Sequence, residues 1–391
     1  MQKLSLPLPA PDALAASQAL QQRILDELAQ HQGWIPFSRY MELALYAPDL
    51  GYYSGGATKL GKDGDFTTAP EMTPLFGATL AQFYAQCLPQ ISAQVMEFGA
   101  GSGKLARDFL SECRTAGIAI ERYFIVELSG ELRARQEEYL KDFAEVQWLP
   151  AMPEAFSGLV LGNEVLDAIP VDLLRKTANG WREVGVALNT SEPQPALHFV
   201  ERDCNAARTA QIPDADTLQE GYLTEVHAVA IGFMHSLSAM LQAGQAQTGK
   251  AAAALLIDYG FPAREYYHPQ RHQGTLMCHY RHHAHPDPFY LPGLQDITAH
   301  VDFTAMAQAA LDSGLQLHTY ASQAGFLIQA GIAQVLARTS AEQVMQYLPQ
   351  ANALQKLVSP AEMGELFKVL LVGTELNLPA TLLQQDRSHR L

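Results

Sequence analysis

Apolar residues recur at helical spacing near the front of the chain, at Leu14, Leu20, Ile24, Leu25 and Leu28 between Asp12 and about Gln30. Ile35 to Tyr46 begins a second amphipathic pattern, so a helical front is predicted. The pattern lapses from Asp49 to Pro70, where five Gly mix with Asp, Ser, Thr and Lys as in a long polar loop. Loops of that length inside a compact domain are uncommon unless they are functional. A further helical stretch runs from Pro74 to Leu88.

The periodicity then starts to alternate between two kinds. Val95 to Phe98, Tyr123 to Glu127 and Leu159 to Gly162 read as strands, with helices predicted over Lys104 to Cys113 and Gly130 to Tyr139. Such alternation implies a parallel sheet covered by helices. Leu173 to Glu201 differs: Thr, Trp and Val runs broken by Asn179-Gly180 predict an antiparallel insertion with a hairpin. Later strands are expected over Ala254 to Asp258, Leu315 to Tyr320 and Phe367 to Val372, with helices over Leu223 to Gln242 and Phe303 to Leu311. The segment Tyr266 to Pro292, rich in His, Pro, Tyr and Arg, reads as a long loop. These boundaries suggest a helical region over 1–90 with a lid loop at 49–71. A core over 91–391 would then carry an insertion at about 171–222 and a long loop at about 260–300.

Composition narrows the function. With 48% hydrophobic and 17% charged residues over 391 positions, the chain can bury a substantial core and is not disordered. The formal net charge of -15, without any Lys and Arg cluster, argues against a nucleic-acid substrate. Cys87, Cys113, Cys204 and Cys278 are widely separated and suggest neither a disulfide framework nor a zinc knuckle. Met1 to Ala16 lacks the basic start and continuous apolar stretch of a signal peptide, and no apolar run reaches the ~20 residues a bilayer crossing needs. A cytoplasmic location without a membrane span is the expectation.

The candidate chemistry begins at Glu97-Phe98-Gly99-Ala100-Gly101-Ser102-Gly103-Lys104, where an apolar strand runs into glycines and then a helix. Residues without Cβ reach unusual dihedrals and let a ligand lie against the backbone. A dinucleotide fingerprint would need Gly where Lys104 stands, and a P-loop would need Gly at Phe98 and Ser or Thr at Leu105. The next strand ends in an acid, Glu127, 28 positions after Gly99. A glycine turn and a strand-end acid also occur in α/β proteins without such a ligand.

Three further constellations stand out. Asn163 and Glu164 follow the strand Leu159 to Gly162, at a sheet edge where ligands bind, with Asp167 one helical turn on from Glu164; the alternative is a helix capped by Asn163 with acids favourably placed in its first turn. The loop Gly61 to Glu71 can act as a lid or as plain solvent loop. His279, His282, His283 and His285 invite a metal reading, which the absence of complementary Cys or carboxylate spacing disfavours, so no metal is expected. Asp258-Tyr259-Gly260 is one more sheet-edge candidate.

Taken together, these segments resemble the MidA-like methyltransferase family. The resemblance rests on Gly64-Asp65-Phe66-Thr67-Thr68-Ala69-Pro70-Glu71, on Glu97 to Gly103, on Val126-Glu127-Leu128-Ser129, on Asn163-Glu164-Val165-Leu166-Asp167-Ala168-Ile169-Pro170 and on Asp296 to Phe303. It implies an α/β, Rossmann-like class I methyltransferase fold, with a seven-stranded sheet, a helical N-terminal region and an inserted β-rich segment. The implied cofactor is S-adenosyl-L-methionine, held by Glu97, Gly99, Gly101, Gly103, Glu127, Asp65, Thr68 and Pro70. The implied catalytic group is Glu164, Asn163, Glu71 and Asp167, and the implied reaction is N-methylation of a protein arginine, since mitochondrial members methylate a subunit of a respiratory complex.

Carboxylates suit that acceptor, because a guanidinium of high pKa must be oriented as a cation. The negative net charge also suits a basic protein segment as partner. A small-molecule methyltransferase and an assembly chaperone with little catalysis are the competing readings. The sequence leaves a homodimer open.

Overall fold

The computed structural model describes residues 6–55, 67–190 and 196–391. The chain divides into two compact units, one of Thr67–Leu166, Phe233–Pro262 and Met306–Leu391, the other of Met1–Phe66, Asp167–Gly232 and Ala263–Ala305.

The first of these is built on seven strands in one sheet: β1 (Gln94–Phe98), β2 (Arg122–Val126), β3 (Val146–Leu149), β4 (Leu159–Asn163), β5 (Ala253–Phe261), β6 (Gln316–Ser322) and β7 (Phe367–Gly373). Their order across the sheet is β6-β7-β5-β4-β1-β2-β3. Six run in the same direction; β7 runs antiparallel to both its neighbours, β5 and β6. The central strands are apolar runs because both faces are covered: all seven residues of β7 are buried, as are the first six of β5. This is the Rossmann-like sheet of class I methyltransferases.

Three helices bear on the site, α1 (Pro74–Cys87), α2 (Lys104–Ala116) and α3 (Gly130–Tyr139). In α2, Leu105, Ala106, Phe109, Leu110 and Cys113 recur at helical spacing and all are buried. Burying a side chain such as Phe109 contributes about 2 kcal/mol. α1 lies so close to α2 that a Cβ at Gly77 would stand 2.8 Å from Asp108 Cβ. The end of β1, where the helix must start, is thereby fixed against the core.

In the other unit, the helices Pro11–Gln30 and Phe37–Tyr46 share a core of Leu20, Ile24, Phe37, Tyr40, Val184 and Val186 with an antiparallel sheet. The strand Gly180–Asn189 is its spine, paired with Trp34–Pro36, Asp172–Thr177 and Ala196–Asp203. The expected hairpin is present, with Thr177 opposite Gly180.

Several expectations change. Leu223–Val226, expected to begin a helix, is a strand paired with Asp172–Arg175, and the helix starts at Ala228. Leu223 and Val226 suit either period, and what decides is remote: the Glu225 carboxylate accepts N–H bonds from Thr275 at 2.7 Å and Leu276 at 2.9 Å. The segment read as one long loop contains three short paired strands, Met277–Tyr280, His283–His285 and Asp296–Thr298. The tight reversal at Arg281 and His282, with φ of 46° and 64°, lacks the glycine that would have announced it. The division between the two compact units falls at 66/67, and α1 packs on α2. No helix among the described residues is long and apolar enough to cross a membrane.

Candidate functional site

The turn from β1 into α2 has three left-handed residues, Gly99, Gly101 and Gly103, at φ of 63°, 54° and 82°. Any side chain at these positions would be strained, so the chain spends glycine at each. The turn is tied to the sheet by the Gly99 N–H, which donates to the Val126 carbonyl at 3.3 Å. Gly103 is the last residue before α2, whose first N–H groups have no partner within the helix and carry positive partial charge. Ser102 donates its hydroxyl to Glu71 and accepts the Lys104 N–H at 3.3 Å. Glu71 sits in the short helix Ala69–Met72, following Thr68, whose carbonyl accepts the Glu71 N–H, and next to the buried Pro70.

Two acids flank this turn. Glu97 on β1 is 2% exposed and accepts the Tyr123 hydroxyl at 2.7 Å. Burial pushes its carboxyl up to about 7; the Tyr123 bond pulls it down and the Glu127 charge raises it. Glu127, just beyond β2, accepts the Ser129 N–H on Oε1 and the Gln136 amide on Oε2, both at 2.9 Å. Gln136, on α3 and fully buried, also donates to the Gly101 carbonyl at 2.9 Å and accepts the Trp148 indole N–H at 2.9 Å. An ionised carboxylate only accepts hydrogen bonds, the chemistry that a ligand's hydroxyls require.

At the end of the neighbouring β4, Asn163 Nδ2 donates to Glu164 Oε1 at 2.9 Å. Glu164 is a non-glycine residue held at φ 54°, with its N–H bonded to the Ile257 carbonyl at 2.8 Å. Such strain persists only where surrounding structure enforces it. Here the enforcement is visible: Asp258, 1% exposed on β5, takes the Leu166 N–H on Oδ2 at 2.8 Å and its neighbour's, Tyr259, on Oδ1 at 2.9 Å. No helix follows Asn163, so the capping alternative falls away, and Asp167 is not one helical turn from Glu164.

Asp167 belongs to the other unit, where it is buried and its carbonyl accepts the Ala299 N–H at 3.0 Å. In that unit the Tyr53 hydroxyl donates to Asp296 at 3.0 and 3.1 Å. Burial, Asp296, Tyr46 and Asp167 together hold the Tyr53 phenol well above its ordinary value. Asp65 lies outside the described residues. The histidines are spread over one hairpin, with His285 buried and His282 and His283 exposed.

Sequence reasoning missed Gln136, Tyr123 and Ser102, and saw Asp258 only as one edge acid among several. Gln136 offered no signal: it is the buried residue of a helix whose other residues are largely exposed, and the sequence of that helix has no apolar face to show it.

A glycine turn entering a helix, a strand-end acid and a buried acid beneath the turn define a Rossmann-like nucleoside site, and their donor set fits S-adenosylmethionine. Residues 75–321 match the model of a family of S-adenosyl-L-methionine-dependent methyltransferases. The chain belongs to this MidA-like family, and its cofactor is S-adenosyl-L-methionine. A crystal structure from Burkholderia thailandensis with S-adenosyl-homocysteine bound is 51% identical, covers 99% of this chain and 100% of its own, and superposes with a TM-score of 0.90. The mitochondrial protein arginine methyltransferase NDUFAF7 of Danio rerio is 29% identical over 91% of this chain and 88% of its own length. The Homo sapiens protein of that name is 28% identical over 92% and 83%.

Proposed function

We propose that this methyltransferase transfers its methyl group to an arginine nitrogen of a protein partner. The observation that carries the reading is the turn after β4, where strain is spent to present a carboxylate, Glu164, rather than a glycine. Relatives named as protein arginine methyltransferases, matching over most of both chains, support the acceptor class.

In this reading Gly99, Gly101 and Gly103 let the aminoacyl end of the cofactor lie against the backbone, Glu97 faces its cationic part and Glu127 accepts the ribose hydroxyls. Thr68 and Pro70 contribute from the segment ahead of α1, and Glu71 steadies Ser102. Bound S-adenosylmethionine supplies an electrophilic methyl on a sulfonium. Glu164, oriented by Asn163, would hold the guanidinium so that one nitrogen points along the line of attack, and its carboxylate would take the proton that nitrogen gives up as the N–C bond forms and the methyl–sulfonium bond breaks. Positioning and electrostatics carry the rate, as expected for an in-line displacement.

The test is mass spectrometry on a cell extract stripped of cofactor and then incubated with enzyme and isotopically labelled S-adenosylmethionine. Label in methylarginine of one or a few proteins is expected. Label confined to small molecules, or to lysine, would contradict the acceptor assignment.

A further inference from the structure

The geometry points to Gln136 as a positioning residue that fixes Glu127 against the glycine turn, so that adenosine recognition depends on a side chain which itself touches no ligand. The inference rests on the reading of Glu127 as the ribose acceptor.

The chemistry of its partners determines which way the amide faces. An indole N–H only donates, so Trp148 on β3 requires Oε1 of Gln136 as its acceptor, at 2.9 Å. Nε2 then faces two groups that only accept, the Gly101 carbonyl and Glu127 Oε2, each at 2.9 Å. Both amide protons and the oxygen are thus engaged while the side chain is fully buried. No other residue type supplies two donors and one acceptor in this volume: Glu lacks the donors, and Leu or Met lacks all three.

Three segments meet at this amide: the turn after β1, the acid after β2 and the strand β3. The Ser129 N–H binds Oε1 of Glu127 and the Gln136 amide binds Oε2, so the two bonds together fix the carboxylate plane. A carboxylate set in advance loses less conformational freedom when two ribose hydroxyls bind it. The bond to Gly101 holds the left-handed turn in register with the same carboxylate, so the aminoacyl and adenosine ends of the site are kept at a fixed spacing.

The experiment is calorimetric titration of S-adenosylhomocysteine into the full chain and into Gln136→Leu, Glu127→Ala, their double variant and the near-isosteric Gln136→Glu. Gln136→Leu is expected to raise Kd about tenfold, the scale of one lost hydrogen bond to a charged group. In the Glu127→Ala background the same change should add little, because the residue acts through Glu127. Gln136→Glu sets two carboxylates face to face. Its Kd relative to wild type should be raised at pH 8 and recover toward pH 5.5, as one shared proton restores a donor. A purely structural role would not produce that recovery, and the comparison decides the matter even if Gln136→Leu fails to fold.

Wild-type affinity in Gln136→Leu, a full additive loss in the double variant, or a pH-independent defect in Gln136→Glu would each overturn the positioning role while leaving Glu127 in place. Wild-type affinity in Glu127→Ala would overturn the ribose assignment itself, and Gln136 with it.

Discussion

Two turns leave adjacent parallel strands of the same sheet, and they handle left-handed backbone in opposite ways. After β1 every residue of positive φ is glycine: Gly99, Gly101 and Gly103. After β4 the residue of positive φ is Glu164. Glycine gives up side-chain chemistry for close approach, which suits a site where a ligand lies on the backbone. A glutamate in that conformation is costly by about 1–3 kcal/mol, and it persists here because Asp258 and the Ile257 carbonyl hold the turn. Both turns stand at the same carboxyl edge of the sheet; in the proposed reading one receives the cofactor through main chain and the other meets the acceptor through a side chain.

The largest expected effect breaks the first turn. Gly101→Val places a β-branched residue at φ 54° and fills space against which the cofactor would lie. S-adenosylhomocysteine affinity measured by calorimetry should fall by more than about 100-fold while the protein stays folded. Wild-type affinity in that variant would remove the main-chain role.

Next comes the acid beneath that turn. Glu97 has its folded pKa raised from 4.5 to about 7, so the folded protein holds this proton more tightly than the unfolded chain. The resulting stabilisation, about 3 kcal/mol, is fully present below pH 4.5 and is lost as pH rises through about 7. Urea unfolding of the ligand-free protein across that range should show the decline, and Glu97→Gln should flatten it. A cationic ligand group favours the carboxylate, so S-adenosylhomocysteine binding should tighten as pH rises through the same window and release a proton. Buffer-independent binding enthalpy at pH 6.5 would contradict this.

The smallest effect sharpens the second turn. Glu164→Gly relieves the left-handed strain and should raise stability by about 1 kcal/mol in urea unfolding, once the entropy of the added glycine is set against it. Methyl transfer should fall at the same time. A destabilised Glu164→Gly would mean that the conformation is not strained.

The sheet was largely legible in the chain because its signals are local. Apolar runs such as Val95 to Phe98 and Ala254 to Ile257, set between amphipathic helices, specify buried parallel strands whatever surrounds them. The glycine turn and Glu127 were legible for the same reason, since a strand, a turn and a helix fall within about a dozen residues. Other features depend on remote partners. Leu223–Val226 becomes a strand through Asp172–Arg175 and through loop N–H groups some fifty residues away. The short strands from Met277 to Thr298 are polar and pair only with each other. Gln136 joins Gly101, Glu127 and Trp148, and no local pattern marks it. The strain at Glu164 is likewise invisible in a string of letters, because Asp258 and the Ile257 carbonyl on another strand hold it.

The division of labour between the two turns is tested most directly by Glu164→Gln, with S-adenosylhomocysteine affinity and single-turnover methyl transfer measured on the same preparation. Affinity within about threefold of wild type and transfer slowed by about 100-fold, the scale of one lost charged contact in a transition state, is the predicted result. Unchanged transfer, or a loss of affinity as large as the loss of rate, would contradict it.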